Sequence, residues 1–358
     1  MSNIFDYLTW RGDILFSQVS PNCVDALIFS ALSYINYDDI VSGEAAETIT
    51  LRETADQMID VPDIEGRYRV KKDMELLQVA AATERFGRVK MTCYQNIFNT
   101  EEETQFAAIT FLLDDGTAFL TFRGTDRSLV GWKEDFNMTY QESVPAQRLA
   151  RDYLRTFALN SRMALRVGGH SKGGNLAVYA AAKNDAEIRN RIIEIYNQDG
   201  PGFREAMMKD PGYLDIIPKI HTYVPESSVF GMLLKHKEPF TIIKSKYIGV
   251  MQHDPYNWEV LGNAFVLADE LAPDSRLFDQ TMDDWLAGMT NEERNEFSDT
   301  LFHLLMIGDT NQLKDIVRFQ NIRAYLKTWH MDDDRRKIIS TEMSKLVESA
   351  KRAYQKIK

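Results

Sequence analysis

The sequence is short of cysteine, of positive charge and of long apolar runs, and each shortage closes off a class of protein. Two cysteines in 358 residues, Cys23 and Cys93, are too few for a disulfide framework. A formal net charge of −11 argues against a nucleic-acid partner, because phosphate binding needs a basic face. No stretch approaches the roughly 18 uninterrupted apolar residues of a membrane span. The first twenty residues mix Asp6, Arg11 and Asp13 into their apolar positions, so they do not read as a signal peptide, and a reducing cytoplasm is the expected location. Among six histidines no pair stands at H-E-x-x-H or comparable ligand spacing, so neither a metal nor another cofactor is expected.

What the chain does contain is an abrupt turn between two regular runs. The apolar residues Met163, Ala164, Leu165 and Val167 lead into Gly169-His170-Ser171-Lys172-Gly173-Gly174, and a helix-like run over 175–183 follows. A serine at the tip of a strand, before a helix, is held in strained backbone geometry and needs small residues two places before and two after it. Gly169 and Gly173 fill both places. The same turn aims the backbone N–H of Lys172 and the positive end of the helix at an oxyanion forming beside Ser171. The bare pattern G-x-S-x-G would arise by chance in roughly one chain in ten of this length. Its position between a strand and a helix is the context a nucleophile elbow requires; the alternatives are a glycine-rich turn with an unreactive serine or a phosphate cradle, and for the latter Gly173 and Gly174 follow Lys172, the wrong order for G-x-x-x-x-G-K-[ST].

Along the chain, residues 22–37 carry Val24, Leu27, Ile28, Ala31, Leu32 and Ile35 at helical spacing behind Pro21 and Asn22. Residues 43–63 are polar and acidic and read as loosely packed, and 68–83 returns to helix. Runs 89–97, 105–113 and 118–122 read as strands, the last two joined by the hairpin signal Asp114-Asp115-Gly116-Thr117. The third ends in Phe122-Arg123-Gly124-Thr125-Asp126, either a plain strand-ending turn or, through the N–H and hydroxyl of Thr125, a second oxyanion donor. Trp132 and Asp135 are expected to brace the loop that follows. A helix over 147–161, the elbow, and strands over 191–197, 217–224, 240–243 and 247–251 complete a β-α alternation. The fold class is therefore α/β, with a predominantly parallel central sheet and helices on both faces.

After about residue 260 the pattern becomes helical, over 277–289, 293–307, 311–327 and 333–357, with a capping-box start at Thr290-Asn291-Glu292-Glu293. This divides the chain into a catalytic part, 1–265, and a C-terminal α-helical extension, 266–358. Phe297, Leu301, Leu304 and Leu305 fit the core of a small bundle. The final helix is basic, through Arg335, Arg336, Lys337, Lys345, Lys351, Arg352, Lys356 and Lys358. A solvated face is the simpler account of it; a peripheral membrane or protein partner is the other.

Acids and histidines arrive at strand ends after the serine, and Ser171, Glu226, His253 follow the nucleophile, acid, base order of α/β-hydrolases. His170 adjoins the serine but points to the opposite side of the turn, His221 is mid-strand, and His236 sits in a lysine-rich loop and reads as solvated. His303 and His330 belong to the helical part, which leaves His253, followed by Asp254-Pro255, as the base. These segments together resemble the class 3 lipase branch of α/β-hydrolases over about 105–260, and the whole chain resembles a bacterial family of lipase-like proteins. Gly169 to Gly174 matches the G-H-S-x-G-G of that family, and Phe122-Arg123-Gly124-Thr125 with Trp132 and Asp135 matches its F-R-G-[ST] segment. The resemblance implies that Thr125 belongs to the oxyanion hole and that Asp135 is structural. His253-Asp254-Pro255 with Trp258 resembles the segment around the family's histidine. Ile220-His221-Thr222 with Val224-Pro225-Glu226 resembles the strand leading to its acid, which favours Glu226 over Asp199, although the family has Asp there. Lys172 stands where the family has an apolar residue.

The expected function is a serine hydrolase that cleaves a carboxylic ester, esterase- or lipase-like, through Ser171, His253 and Glu226, with Lys172 and Thr125 as oxyanion donors and a small-molecule or lipid acyl ester as substrate. The alternatives are a lipase-shaped protein that only binds, and a thioesterase or peptidase using the same triad. The apolar stretch 229–234 lies between acid and base, as an acyl-pocket wall, a mobile lid or ordinary core.

Overall fold

The computed structural model describes residues 2–306 and 333–357. Eight strands form one sheet in chain order: β1 Ile49–Thr50, β2 Lys90–Asn99, β3 Thr104–Leu112, β4 Thr117–Phe122, β5 Ala164–His170, β6 Ile192–Gln198, β7 Ile220–Pro225 and β8 Phe240–Ile243. Strands β1 to β4 pair antiparallel, and β4 to β8 pair parallel. Short hairpin turns join β2 to β3 and β3 to β4, whereas each parallel pair from β4 onward is joined by a longer crossover, as parallel neighbours require. A separate two-stranded hairpin joins β9 Val260–Leu261 to β10 Ala264–Phe265.

The helices are α1 Ile4–Arg11, α2 Cys23–Leu32, α3 Leu51–Ile59, α4 Lys71–Ala82, α5 Glu84–Gly87, α6 Leu129–Asn137, α7 Pro145–Asn160, α8 Lys172–Ala182, α9 Ala186–Arg191, α10 Pro211–Ile216, α11 Pro273–Ala287, α12 Asn291–Leu305 and α13 Asp333–Ile357. Side-chain alternation in the central strands explains why they lie on both faces. Ile109, Phe111, Phe119 and Tyr196 join the core built on α2 and α4, whereas Ala108, Ala118, Leu120, Phe122 and Val167 join the core built on α7 and α8. Every residue of α8 is buried. Its sequence of Gly173, Gly174, Ala177 and Ala180 to Ala182 has the small side chains that let a helix sit this close between a sheet and a second helix. The architecture is α/β, an eight-stranded mixed sheet with helices on both faces and further helices at the C-terminal end.

Local signals account for the boundaries. Asn22 caps α2 by accepting from Val24 and Asp25 N–H, and Thr50 with Glu53 forms a capping box for α3. That helix lies inside the polar stretch 43–63, which is therefore more ordered than its composition implies, and Leu51, Ala55 and Met58 are buried along one face. Residues 247–251 do not form a strand. Gly249–His253 is a 3₁₀ turn, and Tyr247, Ile248, Val250 and Met251 are exposed. A third apolar cluster holds Trp285, Leu286, Met289, Phe297, Leu304 and Ile339, with Phe136 of α6 and Leu234 packed against it. The expected helix over 311–327 and His330 lie outside the described residues. Among the described residues no helix is long and apolar enough to cross a membrane.

Candidate active site

Ser171 joins β5 to α8 with φ 59° and ψ −135°, a region that L-residues avoid and that costs about 1–3 kcal/mol. The surroundings enforce it. A Cβ on Gly169 would collide with the Gly173 carbonyl, and a Cβ on Gly173 would collide with the carbonyl oxygen of Phe122 at the end of β4. Ser171 N–H is fixed by Gln198 O at 2.9 Å, and its C=O accepts from Gly174 N–H at 2.9 Å. The serine is thus clamped between the ends of β4 and β6. Gly124, the residue before Thr125, runs so close that a Cβ there would sit 3.0 Å from Ser171 Cβ. The N–H groups of Lys172 and Thr125 make no hydrogen bond among the described residues. The Thr125 hydroxyl donates to Asp135 Oδ2 at 2.5 Å. Burial pushes the Asp135 carboxyl up to about 7, opposed by the Lys172 charge and the Thr125 hydrogen bond.

His253 follows the exposed turn and is held on three sides. Its Nδ1 lies 2.6 Å from Asp199 Oδ2. Its ring sits between His170, at 4.4 Å centroid to centroid, and Phe230, at 4.3 Å. Because a carboxylate only accepts, Nδ1 carries the proton of this pair, and in the neutral imidazole Nε2 then holds the lone pair that a general base requires. No hydrogen bond joins the Ser171 hydroxyl to His253 among the described residues, and such contacts are often long until substrate binds. His170 is structural, as its place in the turn suggests. Its Nε2 lies 2.7 Å from the His253 carbonyl oxygen and therefore donates, while Nδ1 accepts from Tyr34 Oη at 2.8 Å. Complete burial, then the nearby His253 and Arg69, hold the His170 imidazole well below its ordinary range, so it stays neutral. Tyr34 was not legible as a site residue; nothing on α2 marks the residue that follows it two places on.

The carboxylate on the imidazole is Asp199, and the expectation for Glu226 is corrected. Asp199 follows β6, the strand directly beside β5, and with φ 54° it turns its buried side chain toward His253. Its Oδ1 accepts from Ser228 Oγ at 2.5 Å and Gly231 N–H at 3.2 Å. Glu226 lies one strand further out, where its N–H donates to Ile243 O and its C=O accepts from Ala272 N–H. Among the described residues its carboxylate makes no hydrogen bond. The extra methylene of Glu does not make up the offset of a whole strand. The stretch 229–234 enters here too, since Phe230 packs tilted against His253 and meets Trp132 edge-on at 5.7 Å, so this part of it forms a wall of the site. His236, read as solvated, is instead enclosed, with Nδ1 3.0 Å from Glu238 Oε1 and Nε2 2.8 Å from Gly231 O.

The Mbeg1-like family description fits residues 80–303, more than half of the chain. The chain belongs to the Mbeg1-like family. No curated protein matches it. Among solved structures it is similar to the Rhizomucor miehei lipase in complex with its propeptide, at 18% identity and TM-score 0.33, covering 43% of this chain and 57% of that one. It thus spans less than two thirds of that lipase. It is also similar to a mutant form of MDLA from Penicillium cyclopium, at 15% identity and TM-score 0.38, covering 70% of this chain and 86% of that one.

In this Mbeg1-like chain the Lys172 side chain turns away from the serine into the interior. Its Nζ donates to Gln105 O and Oε1, both at 2.8 Å, and to Glu134 Oε2 at 2.9 Å. Both members of the ion pair are buried. Glu134 also accepts from Gln105 N–H at 3.1 Å and from Ala146 N–H at 2.8 Å. One carboxylate therefore ties α6, β3 and the start of α7 to the first residue of the elbow helix. An apolar wall beside the serine is not disturbed by this lysine. Glu134 was missed in the sequence because the segment around Trp132 and Asp135 reads as a loop, where an acid looks solvated, whereas it folds as the helix α6. Lys172→Met is expected to destabilise the fold by about 3–5 kcal/mol, since it strands a buried carboxylate. Urea unfolding checks this, and adding Glu134→Gln to that variant should recover part of the loss.

Proposed function

We propose that the protein is a serine hydrolase acting on carboxylic esters, with Ser171 as nucleophile, His253 as general base and Asp199 as the acid that orients it. The observation that carries this reading is the 2.6 Å contact between Asp199, just past the end of β6, and Nδ1 of His253 in the 3₁₀ turn, together with a strained serine at the end of the neighbouring β5. Ser171 Oγ attacks the acyl carbonyl while His253 Nε2 takes its proton. The oxyanion is met by the N–H groups of Lys172 and Thr125, each such donor being worth about 3 kcal/mol. The Thr125 hydroxyl, held by Asp135, keeps its backbone in register for that task. Protonated His253 then gives its proton to the departing alkoxide. A water molecule, deprotonated by the same imidazole, releases the acid and restores the serine.

Phe230, the Trp132 edge and the buried position of Ser171 suit an acyl chain entering along an aromatic wall. On this reading the C-terminal helices α11, α12 and α13 supply none of the reacting groups. Incubation of the folded protein with fluorophosphonate probes of several sizes, followed by peptide mapping, tests the proposal. A single adduct on Ser171 is expected. Folded protein that resists every probe would sink the hydrolase reading in favour of a lipase-shaped binding protein.

A further inference from the structure

We propose that the loop over 244–251 is a docking tip that seats the protein on an anionic lipid surface, next to His253. Tyr247, Ile248, Val250 and Met251 are 62%, 83%, 57% and 58% exposed, an unbroken apolar tip interrupted only by Gly249. Water-facing apolar groups in such a run mark a contact surface rather than scattered exposure. Lys244 and Lys246 lead into the tip on its N-terminal side and are also exposed, and among the described residues neither has a carboxylate within 4 Å. In a chain of net charge −11, a local pairing of unpaired lysines with apolar side chains and one tyrosine is the pattern that inserts at a headgroup boundary.

The tip is presented on a firm base. Gln252 Nε2 donates to Tyr247 O at 3.0 Å, Asn257 Nδ2 to Met251 O at 3.0 Å, and Trp258 Nε1 to Gln252 O at 3.0 Å. Gln252 Oε1 in turn accepts from Ser227 N–H at 2.8 Å, which fastens the base of the loop to the end of β7. Tyr247 and Gly249 both adopt positive φ, at 67° and 59°, and turn the chain sharply so that the side chains stand outward. The nearby acid Asp254 faces Arg69 at 3.9 Å. Four side chains offer far less area than the roughly 800 Å² per partner of a stable protein interface, whereas a lipid surface accepts a wedge of this size. Only Gln252 separates Met251 from His253 in the same 3₁₀ turn, so docking would bring a lipid surface to the mouth of the candidate site. The inference concerns binding and stands whether or not Ser171 reacts.

Co-sedimentation of the full chain with phosphatidylcholine vesicles, with and without phosphatidylglycerol, tests it. The protein should partition onto the anionic vesicles and lose most of that binding on pure phosphatidylcholine. Ile248→Asp with Val250→Asp should lower the partition coefficient at least about tenfold, and Lys244→Ala with Lys246→Ala by roughly fivefold per lysine. Added salt should reproduce the lysine effect. These side chains are at the surface, so unchanged melting and unchanged hydrolysis of a soluble short ester are the controls for folding. Protein that stays in the supernatant with anionic vesicles, or variants that sediment as the parent does, would overturn the proposal. So would self-association without vesicles that the aspartate variant abolishes, which would make the tip a contact between copies of the chain.

Discussion

Ser171→Ala is expected to lower kcat on a short model ester by as much as ~10⁶, leaving the protein folded and its thermal midpoint close to that of the parent. The substitution removes the attacking oxygen, and the remaining groups have nothing to activate. Alanine also suits the tight elbow, since the crowding there falls on Gly169 and Gly173 rather than on Ser171 Oγ. His253→Ala should lose nearly as much, and the double variant little more, because nucleophile and base act as one unit. Residual turnover above background would come from the oxyanion donors alone. Single-turnover measurement of acyl-enzyme formation separates the two: both variants should fail to accumulate the intermediate. If Ser171→Ala retains most of the activity, the nucleophile lies elsewhere.

Asp199→Asn is expected to cost about 10⁴ in kcat, whereas Glu226→Gln should change it by no more than about twofold. Asparagine preserves the shape of the site, and its carbonyl can still accept from Ser228 Oγ and Gly231 N–H, which bind Oδ1 in the parent. Its amide then presents N–H groups to His253 Nδ1 where an acceptor stood. The imidazole must take the other tautomer, with its proton on Nε2, and can no longer receive one from the serine. The paired variants decide between two carboxylates with one assay. A large loss in Glu226→Gln and none in Asp199→Asn would return the acid to the end of β7.

The elbow was legible because everything it needs is local. An apolar run, a serine flanked by glycines and a small-residue helix occupy twenty consecutive positions, and the close approach of β4 that forbids a Cβ on Gly173 is implied by glycine at that place. The sheet and its two-sided packing were legible for a related reason, since alternation in β3 and β4 records which face each side chain covers. The choice between Asp199 and Glu226 was not local. It depends on which strand lies beside β5 and on a positive φ at Asp199, and the order of strands across a sheet is set by packing of segments far apart in the chain.

By itself the sequence determined the α/β alternation, the strained serine between its glycines, and a histidine at the end of a later run, because hydrophobic period and turn chemistry act within a few residues. Only the tertiary structure decided the rest. It put Asp199 on His253, drew Lys172 inward to Glu134, and left Tyr247 to Met251 in water where their apolar character suggested a strand. A buried charge is stable only where a partner reaches it, and a strand exists only where another offers hydrogen bonds, so these outcomes waited on neighbours that no local stretch can name.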